Sequence, residues 1–205
     1  MDPGIIAVVR VQSAGQVLPL SQALMAGGII AIEITMTTPN AIETIRKASR
    51  DLGPRAVMGV GTVLDSRTCR EAIEAGAEFV VSPILRPEIA NAARELDRPV
   101  MLGAYTPTEA QLAHEAGADF VKIFPADRLG PSYIKALRAP LPHLRIVPTG
   151  GVDLNTAADF LKAGCAALGV GSALISAGIL RGNRWDELTQ VSRSFRQTVD
   201  RARSK

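Results

Sequence analysis

Hydrophobic positions along the chain fall into eight short runs rich in β-branched residues, separated by longer stretches with helical spacing. In several runs apolar and polar side chains alternate with a period of two, which is the pattern of a β-strand. The pattern predicts strands at residues 5–11, 30–35, 56–60, 79–82, 99–103, 120–124, 145–148 and 167–170.

The stretches between these strands predict helices with recognisable ends. Thr38 before Pro39 indicates one capped helix start, and Thr106-Pro107-Thr108-Glu109 indicates a second, as a capping box. Glycines follow several predicted helix ends, as C-cap glycines do; they are Gly27, Gly76, Gly117 and Gly164. The predicted helices lie at residues 14–26, 39–52, 66–75, 87–96, 107–116, 131–138, 155–163 and, in the tail, about 184–203.

Eight strand–helix units in 205 residues, with no linker between them, favour a single domain over residues 1–205. The predicted fold is a parallel (β/α)8 TIM barrel of the α/β class, in which the active site lies at the C-terminal ends of the strands. A doubly wound open sheet is the alternative, but no Gly-x-Gly-x-x-Gly fingerprint follows the first strand.

Composition narrows the class of protein further. The chain is 47% hydrophobic and 21% charged, with no apolar run long enough to span a membrane and no basic segment typical of a signal peptide at its start. Cys69 and Cys165 show neither metal spacing nor a disulfide pattern, which fits a reducing cytoplasm. His114 and His143 are the only histidines, so a His-based metal site or Ser-His-Asp triad has little support.

The net charge of +3 arises in the C-terminal tail, where residues 181–205 hold seven basic and three acidic side chains. Apolar residues recur there at helical spacing, as one stripe with arginines around it; they are Trp185, Leu188, Val191, Phe195, Val199 and Ala202. We interpret the tail as a docked helix with a solvated basic face, and expect no nucleic-acid partner.

Lys122 is the most unusual side chain in the sequence, because it interrupts an apolar strand. The period of two places it on the same face as Phe120 and Phe124. A lysine held away from water can be a neutral amine, which attacks carbonyls to form Schiff bases. The alternative is a lysine at the strand end that reaches water. Residues 74–81 repeat the pattern of residues 115–122 with a valine at the matching position, so the fold does not require lysine there.

Three more polar residues lie in or just after predicted strands. Glu33 lies between Ile32 and Ile34, and a carboxyl group beside apolar walls has a raised pKa that suits acid–base chemistry. Arg10 closes the first strand and Thr62 follows the third. A buried Glu33–Lys122 ion pair with a purely structural role is the alternative, although apolar layers usually fill a barrel centre.

Two glycine-rich segments follow the seventh and eighth strands, at residues 148–152 and 169–173. In (β/α)8 barrels these two loops commonly form a phosphate site from backbone N–H groups and a short helix N-terminus. We expect Ser172 to cap that helix.

In combination these motifs resemble the family of 2-keto-3-deoxy-6-phosphogluconate (KDPG) and 4-hydroxy-2-oxoglutarate (KHG) aldolases. The matching motifs run in order from about residue 5 to residue 175. They are Ala26-Gly27-Gly28, Ile32-Glu33-Ile34-Thr35, Gly59-Val60-Gly61-Thr62-Val63, Val80-Val81-Ser82-Pro83, Gly103 with Thr106-Pro107-Thr108-Glu109, Val121-Lys122-Ile123-Phe124-Pro125-Ala126, Pro148-Thr149-Gly150-Gly151 and Gly169-Val170-Gly171-Ser172.

The resemblance implies a class I aldolase that needs neither metal nor cofactor, acts on a small 2-keto acid and assembles as a homotrimer. It implies that Lys122 is the Schiff-base lysine and Glu33 the general acid/base. Arg10 and Thr62 are then expected near the substrate carboxylate, and Pro83 and Phe124 as pocket walls. The implied phosphate-binding residues are Thr149, Gly150, Gly151, Gly171 and Ser172.

One position departs from the family pattern. Many members carry Arg two residues after the Thr of the Glu-x-Thr segment, and here that residue is Thr37. Threonine cannot replace the bidentate pairing of a guanidinium with a carboxylate.

Two other functional classes remain possible from the sequence: a phosphate-binding (β/α)8 isomerase without a covalent step, and a metabolite-binding barrel that uses only its glycine loops.

Overall fold

The computed structural model describes residues 4–204, which form eight parallel strands alternating with helices. The strands are β1 (Ile5–Val9), β2 (Ala31–Thr35), β3 (Val57–Gly61), β4 (Phe79–Val81), β5 (Val100–Ala104), β6 (Phe120–Ile123), β7 (Ile146–Pro148) and β8 (Leu168–Val170). The helices are α1 (Val17–Ala26), α2 (Ala41–Leu52), α3 (Ser66–Glu74), α4 (Pro87–Glu95), α5 (Pro107–Glu115), α6 (Gly130–Arg138), α7 (Ala157–Lys162), α8 (Ala177–Gly182) and α9 (Trp185–Arg203), with 3-10 turns at Ala14–Gln16 and Gly53–Arg55.

The strands form one sheet that curves back on itself. Strands β1 to β7 pair in sequence order, and β8 pairs with β1. The last gap, between β7 and β8, is bridged by the pair Thr149–Gly169 and by the N–H of Ala166, which donates to the Ile146 carbonyl at 2.8 Å. The predicted (β/α)8 barrel is confirmed. Among residues 4–204, no helix has the length and apolarity needed to cross a membrane.

Apolar side chains fill two regions, as the alternation along the strands requires. The larger region lies between the barrel and its helices. A smaller cluster lies inside the barrel, towards the N-terminal ends of the strands; it comprises Ile6, Ala31, Val81, Met101, Val147 and Ala167, with Phe79 and Phe120 against it. The interior is thus closed by apolar groups below and left polar towards the C-terminal ends.

The tail forms the long helix α9, as predicted. Its buried stripe includes Leu188, Phe195 and Val199, and it packs against α1 and α7. Contact with α1 is close because Gly27 has no side chain: a Cβ there would lie 2.7 Å from the Thr189 carbonyl oxygen. The hydroxyl of Thr189 also donates to the Ala23 carbonyl at 3.0 Å.

The capping box at Thr106 is confirmed: its hydroxyl accepts from the N–H of Glu109 at 3.3 Å, and the Glu109 carboxylate accepts from the Thr106 N–H at 2.8 Å. The expected cap at Thr38 is wrong. Helix α2 begins at Ala41 after Asn40 in the left-handed region, and the buried Thr38 hydroxyl has no hydrogen-bond partner among residues 4–204. The N–H of Thr38 donates to the Thr35 carbonyl at 2.9 Å, so the chain makes a turn here before the helix begins.

The expected cap at Ser172 is also wrong. The segment after β8 first makes a turn, in which the Gly171 carbonyl accepts from the N–H groups of Leu174 and Ile175 at 3.0 and 2.9 Å. Helix α8 begins only at Ala177, capped by the hydroxyl of Ser176. The expected short helix after the eighth strand is therefore present, but it begins later than predicted.

Candidate active site

A lysine and a glutamate side chain approach each other inside the barrel. Lys122 lies on β6, paired with Gly103 and Val147, while Glu33 lies on β2, paired with Val8 and Gly59. Both are buried, at 5% and 3% exposure. The Lys122 Nζ and the Glu33 Oε1 are 4.0 Å apart. The alternative of a lysine that reaches water is wrong, since burial leaves its ammonium group inside the barrel.

Small residues on neighbouring strands make room for this pair. A Cβ added to Gly61 of β3 would overlap the Glu33 carboxylate and lie 2.6 Å from its Cγ. A Cβ added to Gly103 of β5 would lie 2.6 Å from the backbone nitrogen of Ile84, in the loop after β4. Glycine at these two positions therefore lets a long polar side chain and a loop approach the barrel wall.

Burial governs the electrostatics of Glu33. Loss of water raises the pKa of this carboxyl above its ordinary 4.5, and the positive charges of Lys122 and Arg10 oppose that rise without cancelling it. The Glu33 Oε1 makes no hydrogen bond with residues 4–204. A buried carboxylate oxygen without a partner is costly, and such atoms are concentrated at functional sites.

An aromatic ring covers the lysine from the loop after β6. The Lys122 Nζ lies 5.1 Å from the centre of the Phe124 ring, which is 39% exposed. The amine thus has an aromatic face on one side and a carboxyl group on the other. This setting suits an organic substrate that enters from the C-terminal end of the barrel.

Polar residues surround the opening above Glu33 and Lys122, which we call the mouth. Arg10 is exposed just after β1, and Thr62 follows β3 with a φ of 60° in the left-handed region. Pro83 follows β4, on the loop that approaches Gly103. The structure therefore places these three predicted residues at the same end of the barrel.

The two glycine-rich loops lie next to each other because β7 and β8 are neighbours. The buried Thr149 pairs with Gly169, and its side chain occupies the space that a Cβ on Gly169 would need. Gly150 and Gly151 adopt φ values of 87° and 74°, which favour glycine. Gly171 and Ser172 follow β8, and Ser172 is exposed. All five predicted phosphate-binding residues thus lie at this one edge of the mouth.

Thr35 and Thr37 form a polar pair at the mouth that the motif analysis did not propose as part of the site. Their hydroxyl oxygens are 2.8 Å apart, and the Thr35 hydroxyl also donates to the Val9 carbonyl at 3.1 Å. The period of two along β2 could have revealed Thr35, since it follows Glu33 on the same face.

A cavity of about 470 Å³ lies at the opposite end of the barrel. It is lined mostly by apolar groups, including Phe79 and Phe120, and its charged lining residues are Glu78 and Arg145. Neither Lys122 nor Glu33 contributes to its lining. Among residues 4–204, no group of three or more His, Cys, Asp or Glu side chains could hold a metal ion.

Comparison with known proteins identifies relatives over most of the chain. Residues 2–191 match the KDPG and KHG aldolase family. A 2-dehydro-3-deoxy-phosphogluconate aldolase of Pseudomonas aeruginosa is 35% identical over 190 residues, covering 92% of this chain and 86% of the relative.

Two solved structures extend the likeness. A native KDPGal structure has a TM-score of 0.91 at 32% identity and covers 98% of this chain and 96% of its own. A KDPG aldolase from Legionella pneumophila, with pyruvate captured as a covalent carbinolamine intermediate, has a TM-score of 0.87 at 27% identity and covers 95% and 94%.

Proposed function

Because the chain belongs to the family of KDPG and KHG aldolases, we propose that it cleaves a 4-hydroxy-2-keto acid reversibly, through a Schiff base on Lys122. The observation that carries this proposal is the buried Lys122–Glu33 pair, with Nζ and Oε1 4.0 Å apart at the end of the barrel where such enzymes react. An amine and a carboxyl group at this separation can share a substrate carbon and its oxygen.

In the first stage, the uncharged Lys122 amine adds to the C2 ketone and forms a carbinolamine. Glu33, protonated, donates its proton to the departing hydroxyl, which leaves as water and gives the protonated imine. The raised pKa of Glu33 favours this protonated state.

In the second stage, the imine draws electrons from the bond between C3 and C4. The Glu33 carboxylate, through a water molecule, takes the proton of the C4 hydroxyl, so an aldehyde leaves and an enamine remains. Protonation of C3 and hydrolysis of the imine then release pyruvate and regenerate the lysine.

We propose roles in substrate binding for residues of the mouth, following the resemblance to the family. Arg10 and Thr62 bind the keto-acid carboxylate, and Pro83 and Phe124 form walls of the pocket. The paired loops after β7 and β8 bind a phosphate through Thr149, Gly150, Gly151, Gly171 and Ser172. KDPG would then give glyceraldehyde 3-phosphate as the aldehyde, whereas KHG would give glyoxylate. Turnover of KDPG, its galactonate epimer and KHG, measured side by side, ranks these substrates.

The proposed assembly is a homotrimer. Several large apolar side chains are exposed in loops that follow the strands, at the same end as the mouth; they are Leu64, Ile84, Tyr105, Phe124 and Leu154. Large apolar side chains left exposed at one end of a protein are candidates for a contact surface between subunits. Light scattering coupled to size exclusion should give three times the 21.7 kDa chain mass, and a monomeric mass would refute the assembly.

Borohydride reduction in the presence of pyruvate tests the covalent step. We expect peptide mass mapping to find a reduced pyruvate adduct on Lys122, and Lys122→Met to abolish both adduct and lyase activity. Lys135→Met, at an exposed lysine of α6, is the matched control and should behave as the unmodified protein. A Lys122→Met protein that keeps full lyase activity would refute the covalent step, whereas a parent protein with neither adduct nor lyase activity would favour an isomerase-like or purely binding site.

A further inference from the structure

The mouth between β1 and β2 carries a guanidinium beside a pair of threonine hydroxyls. In the register of these strands Val9 pairs with Ile34, so the next positions, Arg10 and Thr35, lie side by side. The positive charge of Arg10 also opposes the rise in the pKa of Glu33. Thr37 follows two residues after Thr35 and is exposed at the mouth.

The direction of the hydrogen bonds in this threonine pair follows from counting protons. The Thr35 hydroxyl has one proton, and it donates that proton to the Val9 carbonyl at 3.1 Å, because a carbonyl can only accept. In the 2.8 Å contact between the two hydroxyls, Thr37 must therefore be the donor. The single proton of Thr37 is thus used, and its oxygen has only lone pairs left to offer.

An oxygen that can only accept hydrogen bonds cannot bind a carboxylate, which is itself an acceptor. It fits a hydrogen-bond donor, and Arg10, which lies next to Thr35 in the strand register, is a donor-rich group at this part of the mouth. The Arg10 side chain is exposed and makes no hydrogen bond with residues 4–204, while its guanidinium carries five N–H groups. One edge of the guanidinium can bond Thr37 while another remains for an anion.

We propose that Thr37 is a positioning residue: its oxygen accepts a hydrogen bond from Arg10 and holds the guanidinium over the mouth, where Arg10 binds the substrate carboxylate. This inference rests on the proposed aldolase function. It explains how a chain with threonine at position 37 holds a keto acid with a single arginine at this part of the mouth. Because the Thr35 hydroxyl donates its proton to the Val9 carbonyl, it accepts the proton of Thr37. The lone pairs of the Thr37 oxygen then remain available to a donor.

The test measures the pyruvate concentration that half-saturates borohydride trapping on Lys122. Thr37→Val keeps the shape of threonine and removes its oxygen, and we expect it to raise this concentration about tenfold. Thr37→Ser keeps the oxygen and should stay within about twofold of the parent. Thr198→Val, which removes the Thr198–Ser194 bond on α9, is the matched control and should change nothing.

A double-mutant cycle separates positioning from a structural effect. Arg10→Met should raise the half-saturating concentration about thirtyfold, and adding Thr37→Val to it should change that value by less than about twofold. An unaltered Thr37→Val protein, or a full tenfold effect of Thr37→Val in the Arg10→Met background, would overturn the inference. Thr37→Ala, with a melting curve for each variant, serves as a second truncation should valine disturb the fold. Absence of any adduct in the parent protein would instead refute the aldolase function itself.

Discussion

Gly61→Ala should disable the carboxyl group of Glu33 while leaving the barrel folded. A methyl group at position 61 would lie 2.6 Å from the Cγ of Glu33, whereas carbon atoms in contact lie about 3.5–4.0 Å apart. The Glu33 side chain must therefore move by on the order of 1 Å. Because a misplacement of this size at a reacting centre costs about 100-fold in rate, we expect kcat to fall by about that factor.

Gly59→Ala is the matched control, two residues earlier on the same strand. Its methyl group would lie 2.5 Å from Cε1 of Phe79, in the apolar cluster below the reacting groups. Both variants are overpacked, and each should lose about 1–3 kcal/mol of unfolding free energy in urea. Steady-state lyase assays should then show a large loss of kcat for Gly61→Ala and a loss of less than about tenfold for Gly59→Ala. Equal rates in the two variants would refute the reasoning that the glycine at 61 makes room for the carboxyl.

Three further predictions concern charge, capping and thiols. The pKa of Glu33 is raised in the folded state, so its contribution to stability is present below pH 4.5 and is lost as the pH rises through the folded pKa. In urea unfolding, the stability of the parent relative to Glu33→Gln should therefore fall as the pH is raised through that range. Thr106→Ala should lose about 1 kcal/mol in the same assay without a change in kcat, since it removes only the capping box of α5. Burial raises the pKa of Cys69 to about 11 and that of Cys165 to about 12, so Ellman's reagent at pH 8 should label neither thiol until the protein is unfolded.

The fold could be predicted because its signals are local and repeated. The strands were predicted from short apolar runs, several of which alternate with polar residues. The Thr106 capping box lies within four consecutive residues. The predictions that were wrong depend on how the chain leaves a strand. Thr38 and Ser172 have the right residue type for a cap, but in both segments a turn intervenes before the helix begins. Such turns follow from tertiary packing and not from residue preference alone.

The candidate site also has features that the sequence predicted and features that it could not predict. The charged side chains of Glu33 and Lys122 interrupt apolar strands, which predicted that both have a functional role. They are 89 positions apart in the sequence, and the curvature of the barrel brings their side chains to 4.0 Å. The Thr35–Thr37 bond could not be anticipated, because its direction depends on a carbonyl of the neighbouring strand. Residue type therefore predicted which side chains belong to the site, whereas the strand register of the folded barrel determines which of them are in contact.

The internal repeat supports the proposal that Lys122 has a chemical role. Val81 occupies the matching position of the earlier copy and is fully buried in the apolar cluster inside the barrel. An apolar side chain therefore satisfies this position of the βα unit. The Lys122 Nζ instead lies 4.0 Å from the Glu33 Oε1, which is longer than a hydrogen bond, and this oxygen has no hydrogen bond within the described part of the chain. A buried pair of this geometry recovers little of its desolvation cost, and apolar replacement of such pairs is often neutral or stabilising. Stability alone therefore gives no reason to keep Lys122 and Glu33, whereas a reaction that needs an amine beside a proton donor does.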